Sequence, residues 1–315
     1  MTRDKTLGRT RRIAWNGASL DVPQEWDALA MGRGELRLGP PGDAEISLKW
    51  KPIAGRLSPQ KHLKRVIAAF ARGGEATEED WLRGQGDAIR TRFETVLPYA
   101  WSSGGEKGLG AVVHDQASGL AALFQARTRD AAKAGQWLAS LRLPAPNEAR
   151  EFTVFDISAR VPPAFALQSF SFKPGHFTLR FAARRAELVL ERLGPAAVLL
   201  ERTDLTTLAS ARWPEMTRKA LAQRFDHPNG PGFCWDTAPV GQAGRLLARL
   251  ARTRGFSRLA VWREEGANRL LAVGLSDRRP LDADLFDALC RFYATLQTRD
   301  APDDGGRNGD DARGG

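Results

Sequence analysis

The sequence predicts an α+β protein made of two related α/β-sandwich domains in tandem, each a mostly antiparallel sheet packed with helices. Three observations predict it. First, Leu20-Asp21-Val22-Pro23-Gln24-Glu25-Trp26 has a counterpart in Ile157-Ser158-Ala159-Arg160-Val161-Pro162-Pro163-Ala164-Phe165. Each is a short strand ending in Val, then Pro, two residues and a large aromatic, and the two prolines stand one small-domain length apart. Second, Glu45 to Pro52 alternates strictly, with Ile46, Leu48 and Trp50 on one side, as a half-buried antiparallel strand does. Third, each half runs through strands to a hairpin and a closing amphipathic helix, and sheets covered by such helices form sandwiches.

In the first half, Ile13 to Val22 alternates loosely around the hairpin signal Asn16-Gly17. Pro23 has no N–H to donate and ends the pairing, and Trp26 folds back over the core. Gly32 and Gly34 flank a turn, Glu35 to Gly39 is a short strand, and Pro40 to Asp43 turns into the strand at Ile46. Ser58-Pro59 reads as an N-cap with Pro at the first helical position, and Leu63, Val66, Ile67 and Phe70 lie at the spacing of one buried face. Glu75 to Arg83 reads as a loop or short helix around Trp81. Asp87–Phe93, Tyr99–Ser103, Leu109–His114 and Leu120–Thr128 read as strands. Asp130 caps a helix with Ala134, Trp137, Leu138 and Leu141 inward.

The second half answers in the same order. Phe155 to Val161 matches Trp15 to Val22, His176 to Phe181 matches the strand at Leu36, and Ala186 to Leu193 matches Ile46 to Trp50. A helical stretch from Leu208 to Phe225, interrupted at Pro214, stands for the helix at Ser58. Phe233 to Asp236 is a middle strand, and Arg258–Glu264 and Asn268–Ser276 form a hairpin. Asp282 to Gln297 is the closing helix. The expected organisation is a basic flexible N-terminus (1–12), a first domain (13–143), a linker (144–152), a second domain (153–298) and a disordered tail (299–315) poor in apolar residues.

A strand running into Val-Pro-x-x-Trp, a meander, a helix, more strands and a final helix together resemble the PsbP/Mog/DcrB-like fold. The residues that carry the resemblance are Val22, Pro23 and Trp26, echoed by Val161, Pro162 and Phe165. The resemblance implies a non-catalytic module that docks on a larger partner. It carries over no functional residue, cofactor or metal, so Pro23, Trp26, Pro162 and Phe165 enter only as the structural corners of the repeat.

Composition bounds the function classes. The chain has 315 residues, 42% apolar, with nine Trp and fifteen Phe, ample for two cores. No apolar run approaches the ~20 residues of a membrane span. The basic stretch Met1–Arg12 leads into Trp15-Asn16-Gly17, not into an apolar signal region, so the expected location is cytoplasmic. Cys234 and Cys290 lack metal-ligand spacing and read as reduced core residues. Four dispersed histidines give no metal set.

The Gly-rich run Gly104-Gly105-Glu106-Lys107-Gly108-Leu109-Gly110 lacks the ending of a phosphate loop and reads as a hairpin turn. The one enzymatic candidate is Asp226 to Cys234, where a Cys nucleophile would need His227 within reach of its sulfur; a core cysteine beside Phe233 and Trp235 is the plainer reading.

A net charge of +10 can mean nucleic acid, anionic lipid or an acidic partner. The basic residues are scattered among Asp and Glu as on a solvated surface, so any nucleic-acid association is expected to be weak and non-specific. Lys61, Lys64, Arg65, Arg245, Arg249 and Arg252 form the expected basic contact surface. Arg180-Phe181, Lys49-Trp50-Lys51 and Trp262-Arg263 have the residue types of a base-stacking surface, but strand neighbours face opposite ways, which hides the aromatics. The leading expectation is a non-enzymatic protein-interaction or assembly module without cofactor. A nucleic-acid- or anion-binding protein is the alternative, and a small Cys hydrolase is third.

Overall fold

The computed structural model describes residues 9–53, 74–84, 86–238 and 255–296, with positions 58, 61, 64, 65 and 68. The first half contains β1 (Thr10–Trp15), β2 (Ala18–Pro23), β3 (Asp27–Gly32), β4 (Glu35–Gly39), β5 (Ile46–Pro52) and β6 (Gly74–Glu78). It continues with α1 (Asp87–Arg92), β7 (Thr95–Ser103), β8 (Glu106–Asp115), β9 (Leu120–Ala126) and α2 (Ala131–Ser140). The second half contains β10 (Arg150–Val154), β11 (Ile157–Val161), β12 (Ala166–Lys173), β13 (His176–Ala182) and β14 (Glu187–Leu193). Then come α3 (Ala196–Leu199), α4 (Leu205–Arg212), α5 (Pro214–Thr217), β15 (Gln223–His227), β16 (Gly230–Thr237), β17 (Phe256–Glu264), β18 (Arg269–Asp277), α6 (Ala283–Arg291) and β19 (Ala294–Thr295).

These strands form three antiparallel sheets with helices packed against them, an α+β architecture. The first seven-stranded sheet has the order β3-β4-β5-β9-β8-β7-β6 and the second β12-β13-β14-β18-β17-β16-β15. The order is the same once β3 is matched with β12. Even the irregularities agree: a register shift between Ala28 and Ala30 on β3 is met by one between Leu167 and Ser169 on β12. Both corners repeat as well. Trp26 donates its backbone N–H to Pro23 O at 3.1 Å, Phe165 donates to Pro162 O at 3.0 Å, and both rings are buried.

The third sheet joins the halves. Its order is β19-β11-β10-β1-β2, so the opening hairpin of one half lies beside that of the other, with Ala14 opposite Thr153. Asn16 and Gly17 turn the first hairpin with φ of 42° and 97°, the left-handed values a two-residue turn demands. Alternation gives this shared sheet two faces. Ile13, Trp15, Leu20, Val22, Phe152, Val154, Ile157, Ala159 and Val161 are buried in one core that draws on both halves. Trp15 is the pin: its ring centroid lies 5.4 Å from Phe152, 4.8 Å from Phe170 and 5.9 Å from Phe172. Its Nε1–H donates to Gly32 O at 2.6 Å. The opposite face carries Arg12, Asp21, Glu151 and Arg160.

Several elements differ from the sequence expectation. Asp87–Phe93 is not a strand: Asp87–Arg92 is α1, because the four-residue spacing of buried Ile89 and Phe93 fits a helix as well as a strand. Glu75 lies in β6 and Trp81 is a buried anchor, donating Nε1–H to Gly110 O at 2.9 Å. β3, β12 and β15 were not anticipated. They are outer strands, and in β3 and β12 the register shift breaks the two-residue alternation. Pro214 does break the second-half helix, but β15 has begun by Gln223, so Phe225 is in a strand. The closing helix α6 stops at Arg291, and Ala294 and Thr295 pair with Ser158 and Ile157. β1 starts at Thr10 and β10 at Arg150, inside the stretches read as flexible arm and linker.

Of the helix expected from Ser58, positions 61, 64, 65 and 68 are helical and exposed. Its apolar face at Leu63, Val66, Ile67 and Phe70 lies outside the described residues, as does the tail at 299–315.

Candidate functional site

The Cys–His candidate is taken apart by the hairpin that carries it. Phe225 faces Gly232 and His227 faces Gly230 across β15 and β16, so Cys234 sits four residues along the strand from His227's partner, about 13 Å away. The imidazole is committed elsewhere. It bonds Cys290 O through Nε2 at 3.1 Å, accepts the Asn229 N–H at 3.2 Å on Nδ1, and stacks on Trp262 with centroids 4.4 Å apart. Burial lowers its pKa, the state of a neutral packed ring. Cys234 takes a 3.4 Å contact from Arg258 Nε instead. Burial still raises the thiol above its ordinary value despite that guanidinium, and pushes Cys290 well up too. A thiolate nucleophile requires the reverse.

The Gly-rich run is a hairpin. Gly104 and Gly105 form the turn with φ of 59° and 85°, and Gly108 and Gly110 are inside β8. A Cβ on Gly110 would stand 2.4 Å from Tyr99 Cζ, so glycine lets that ring lie over the strand. Among the described residues no cluster of three or more His, Cys, Asp or Glu is placed to hold a metal ion.

Two ionic clusters sit deep in the second half. Glu191 accepts from Trp213 Nε1 at 2.9 Å and Arg212 Nη2 at 3.0 Å, and pairs with His176 Nε2 at 2.7 Å. Burial pushes its pKa up, but these partners outweigh burial and the net shift is downward. Asp156, in the turn between β10 and β11, takes Arg192 and, at 3.2 Å, Arg269 on Oδ2. Arg192 also lies over the Phe177 ring at 4.4 Å. Glu191 is answered by its own partners. In the second cluster Asp156 Oδ1 and Arg192 Nε are buried with no hydrogen-bond partner among the described residues. That cluster clamps the shared hairpin to β14 and β18.

The open site is on the seam. A cleft of ≈ 490 Å³ runs over the polar face of the shared sheet, within the size range of binding pockets. Arg12 and Ala14 of β1, Glu151 of β10 and Arg160 of β11 form its floor, with Arg92, Asp115, Arg142 and Glu148 around it. Arg12 pairs with Asp21 at 2.8 Å and Arg160 reaches Glu151 at 3.6 Å. Arg92 Nη1 donates to Ala139 O and, at 3.1 Å, to Leu141 O. Sequence reading missed these residues. They are scattered singly along the chain, and only the β1–β10 pairing gathers them.

The described residues of the expected basic surface do not line this cleft. Lys61, Lys64 and Arg65 are exposed, while Arg245, Arg249 and Arg252 lie outside the described residues. Trp50, Phe181 and Trp262 all face inward, leaving Lys49, Lys51 and Arg180 without exposed aromatic neighbours in those pairs. No described helix is long and apolar enough to cross a membrane.

No family model and no curated protein matches the chain. Among solved structures it is similar to the immunity protein TplEi of T6SS from Pseudomonas aeruginosa. The apo structure shares 13% identity and covers 95% of this chain; the structure complexed with an "L" peptide shares 12% and covers 94%. Each match spans 100% of that chain at a TM-score of 0.33. A likeness at that score says nothing of function.

Proposed function

We propose that this chain is a non-enzymatic protein-interaction module whose two PsbP/Mog/DcrB-like halves hold a partner protein across their seam. The observation that carries the reading is the cleft of ≈ 490 Å³, which both halves line and which neither has alone. It sits on a sheet whose other face is solid core, so the surface is presented rigidly. Rigid presentation lowers the ordering cost of binding. The dispersed Cys–His pair supports the absence of hydrolase chemistry, and two buried free thiols suit a reducing cytoplasm.

The test has two arms. Immobilised full-length protein should retain a partner through washing and elute it at a fixed stoichiometry, with a footprint on the cleft rim of about 800 Å². Cys234→Ala should leave that complex unchanged. Ester or thioester hydrolysis lost specifically in Cys234→Ala would replace the reading with the hydrolase. Tight, sequence-dependent nucleic-acid binding would replace it with the anion-binding alternative.

A further inference from the structure

Charge around the seam cleft is uneven. On the floor, Arg12 and Arg160 face Asp21 and Glu151 across neighbouring strands, so those guanidinium groups are already answered. The wall behind α2 differs. Arg92 spends Nη1 on the last carbonyls of α2, a favourable place for a cation but one that cancels no full charge. Arg142 is held only by its backbone, which exchanges two hydrogen bonds with Ser19, at 3.0 and 2.9 Å. Its exposed guanidinium meets no carboxylate among the described residues. Two positive groups thus share one wall without a counter-ion among the described residues.

Elsewhere the rim is acidic. Asp115 Oδ1 accepts Ala117 N–H at 3.0 Å and Glu148 Oε2 accepts Ala145 N–H at 3.1 Å, each carboxylate keeping further lone pairs. Between the walls lie Ala14, Gly17, Ala18, Ser19 and Ala149, small residues that let a main chain approach closely. A polypeptide answers both signs: acidic side chains for Arg92 and Arg142, backbone N–H groups for Asp115 and Glu148. A nucleic-acid strand does not. Its backbone repeats a phosphate at every step and has no N–H group to offer the carboxylates of Asp115 and Glu148.

We propose that the seam cleft takes an acidic peptide segment of a partner protein, with Arg92 and Arg142 as its carboxylate-binding wall. This rests on the protein-interaction reading above and names the chemistry of the partner. Arg142 is the residue to change, because Arg92 also closes α2 and its loss would disturb the fold.

The probe is a fluorescein-labelled, end-capped tetraglutamate peptide titrated into the full-length protein, with tetraglutamine as control. Saturable binding of tetraglutamate alone is expected, weakened about five-fold by Arg142→Gln, the upper range for one exposed ion pair. It should also weaken between about 50 and about 300 mM salt. Near-UV circular dichroism verifies that Arg142→Gln keeps the native fold. Equal binding to wild type and Arg142→Gln, no binding to wild type, or equal displacement by inorganic phosphate or single-stranded DNA overturns the acidic-peptide assignment. Partner capture separates the two levels. If Arg142→Glu keeps the partner that wild type retains, this wall is wrong and the interaction reading stands; if wild type retains no partner, the interaction reading itself fails.

Discussion

Asp156 and Asp21 are both paired with arginine, and their surroundings make them unequal. Asp156 neutralises the almost fully buried Arg192 together with Arg269, whereas the Asp21–Arg12 pair is about a third exposed at each end. Removing one partner of a buried pair strands the other charge. Asp156→Ala should therefore cost about 3 kcal/mol, at the low end for such pairs because Asp156 keeps some solvent contact. Asp21→Ala should cost at most about 1 kcal/mol. Urea denaturation of the two variants checks the contrast. Glu191 gives a pH signature. Its folded pKa lies below its ordinary 4.5, so its contribution to stability is full above 4.5 and is lost as pH falls through the lower folded value. Glu191→Gln should flatten that acid limb in melting experiments below pH 4.5, and an unchanged acid limb would refute the assignment. Neither cluster was legible in the sequence, since Glu191, His176 and Arg212 come from three separated elements.

The elements divide by how local their signals are. The Asn16-Gly17 turn, the alternating β5, the capping Asp130 and the break at Pro214 rest on nearest-neighbour chemistry, and each is found where its residues imply. The outer strands β3, β6, β12 and β15 are held by pairing with one neighbour, which leaves little mark on their own residues. Gly110 shows a constraint set entirely by packing. The space its missing Cβ leaves is filled by Tyr99, and its carbonyl receives Trp81. Gly110→Ala should destabilise the protein by about 1–3 kcal/mol through overpacking of that sheet face. Thermal melting reads the loss. Gly104→Ala makes a useful comparison, because a Cβ there meets nothing and only its φ of 59° is strained.

At the scale of the whole molecule, the repeat was legible because it is written twice, in Val-Pro corners, strand order and closing helices. What was not legible is that the halves share a sheet. The pairing of β1 with β10 joins residues more than a hundred positions apart, and no periodicity inside either strand records its partner. The cleft was hidden for the same reason, because it exists only once that pairing is made. The sheet also has consequences for folding. Trp15 of the first half is buried against Phe152, Phe170 and Phe172 of the second, and substitutions of so large a buried ring to Ala cost about 3–5 kcal/mol.

The most direct test of this architecture is to express residues 1–149 and 150–315 separately and together, and to record near-UV circular dichroism. Each half alone should lack the native aromatic signal, having lost the neighbours of Trp15 or of Phe152. Mixing or co-expressing them should restore the signal in a one-to-one complex. A half that shows a native-like spectrum and a cooperative unfolding transition by itself would contradict the shared sheet as the frame that holds the molecule and its cleft together.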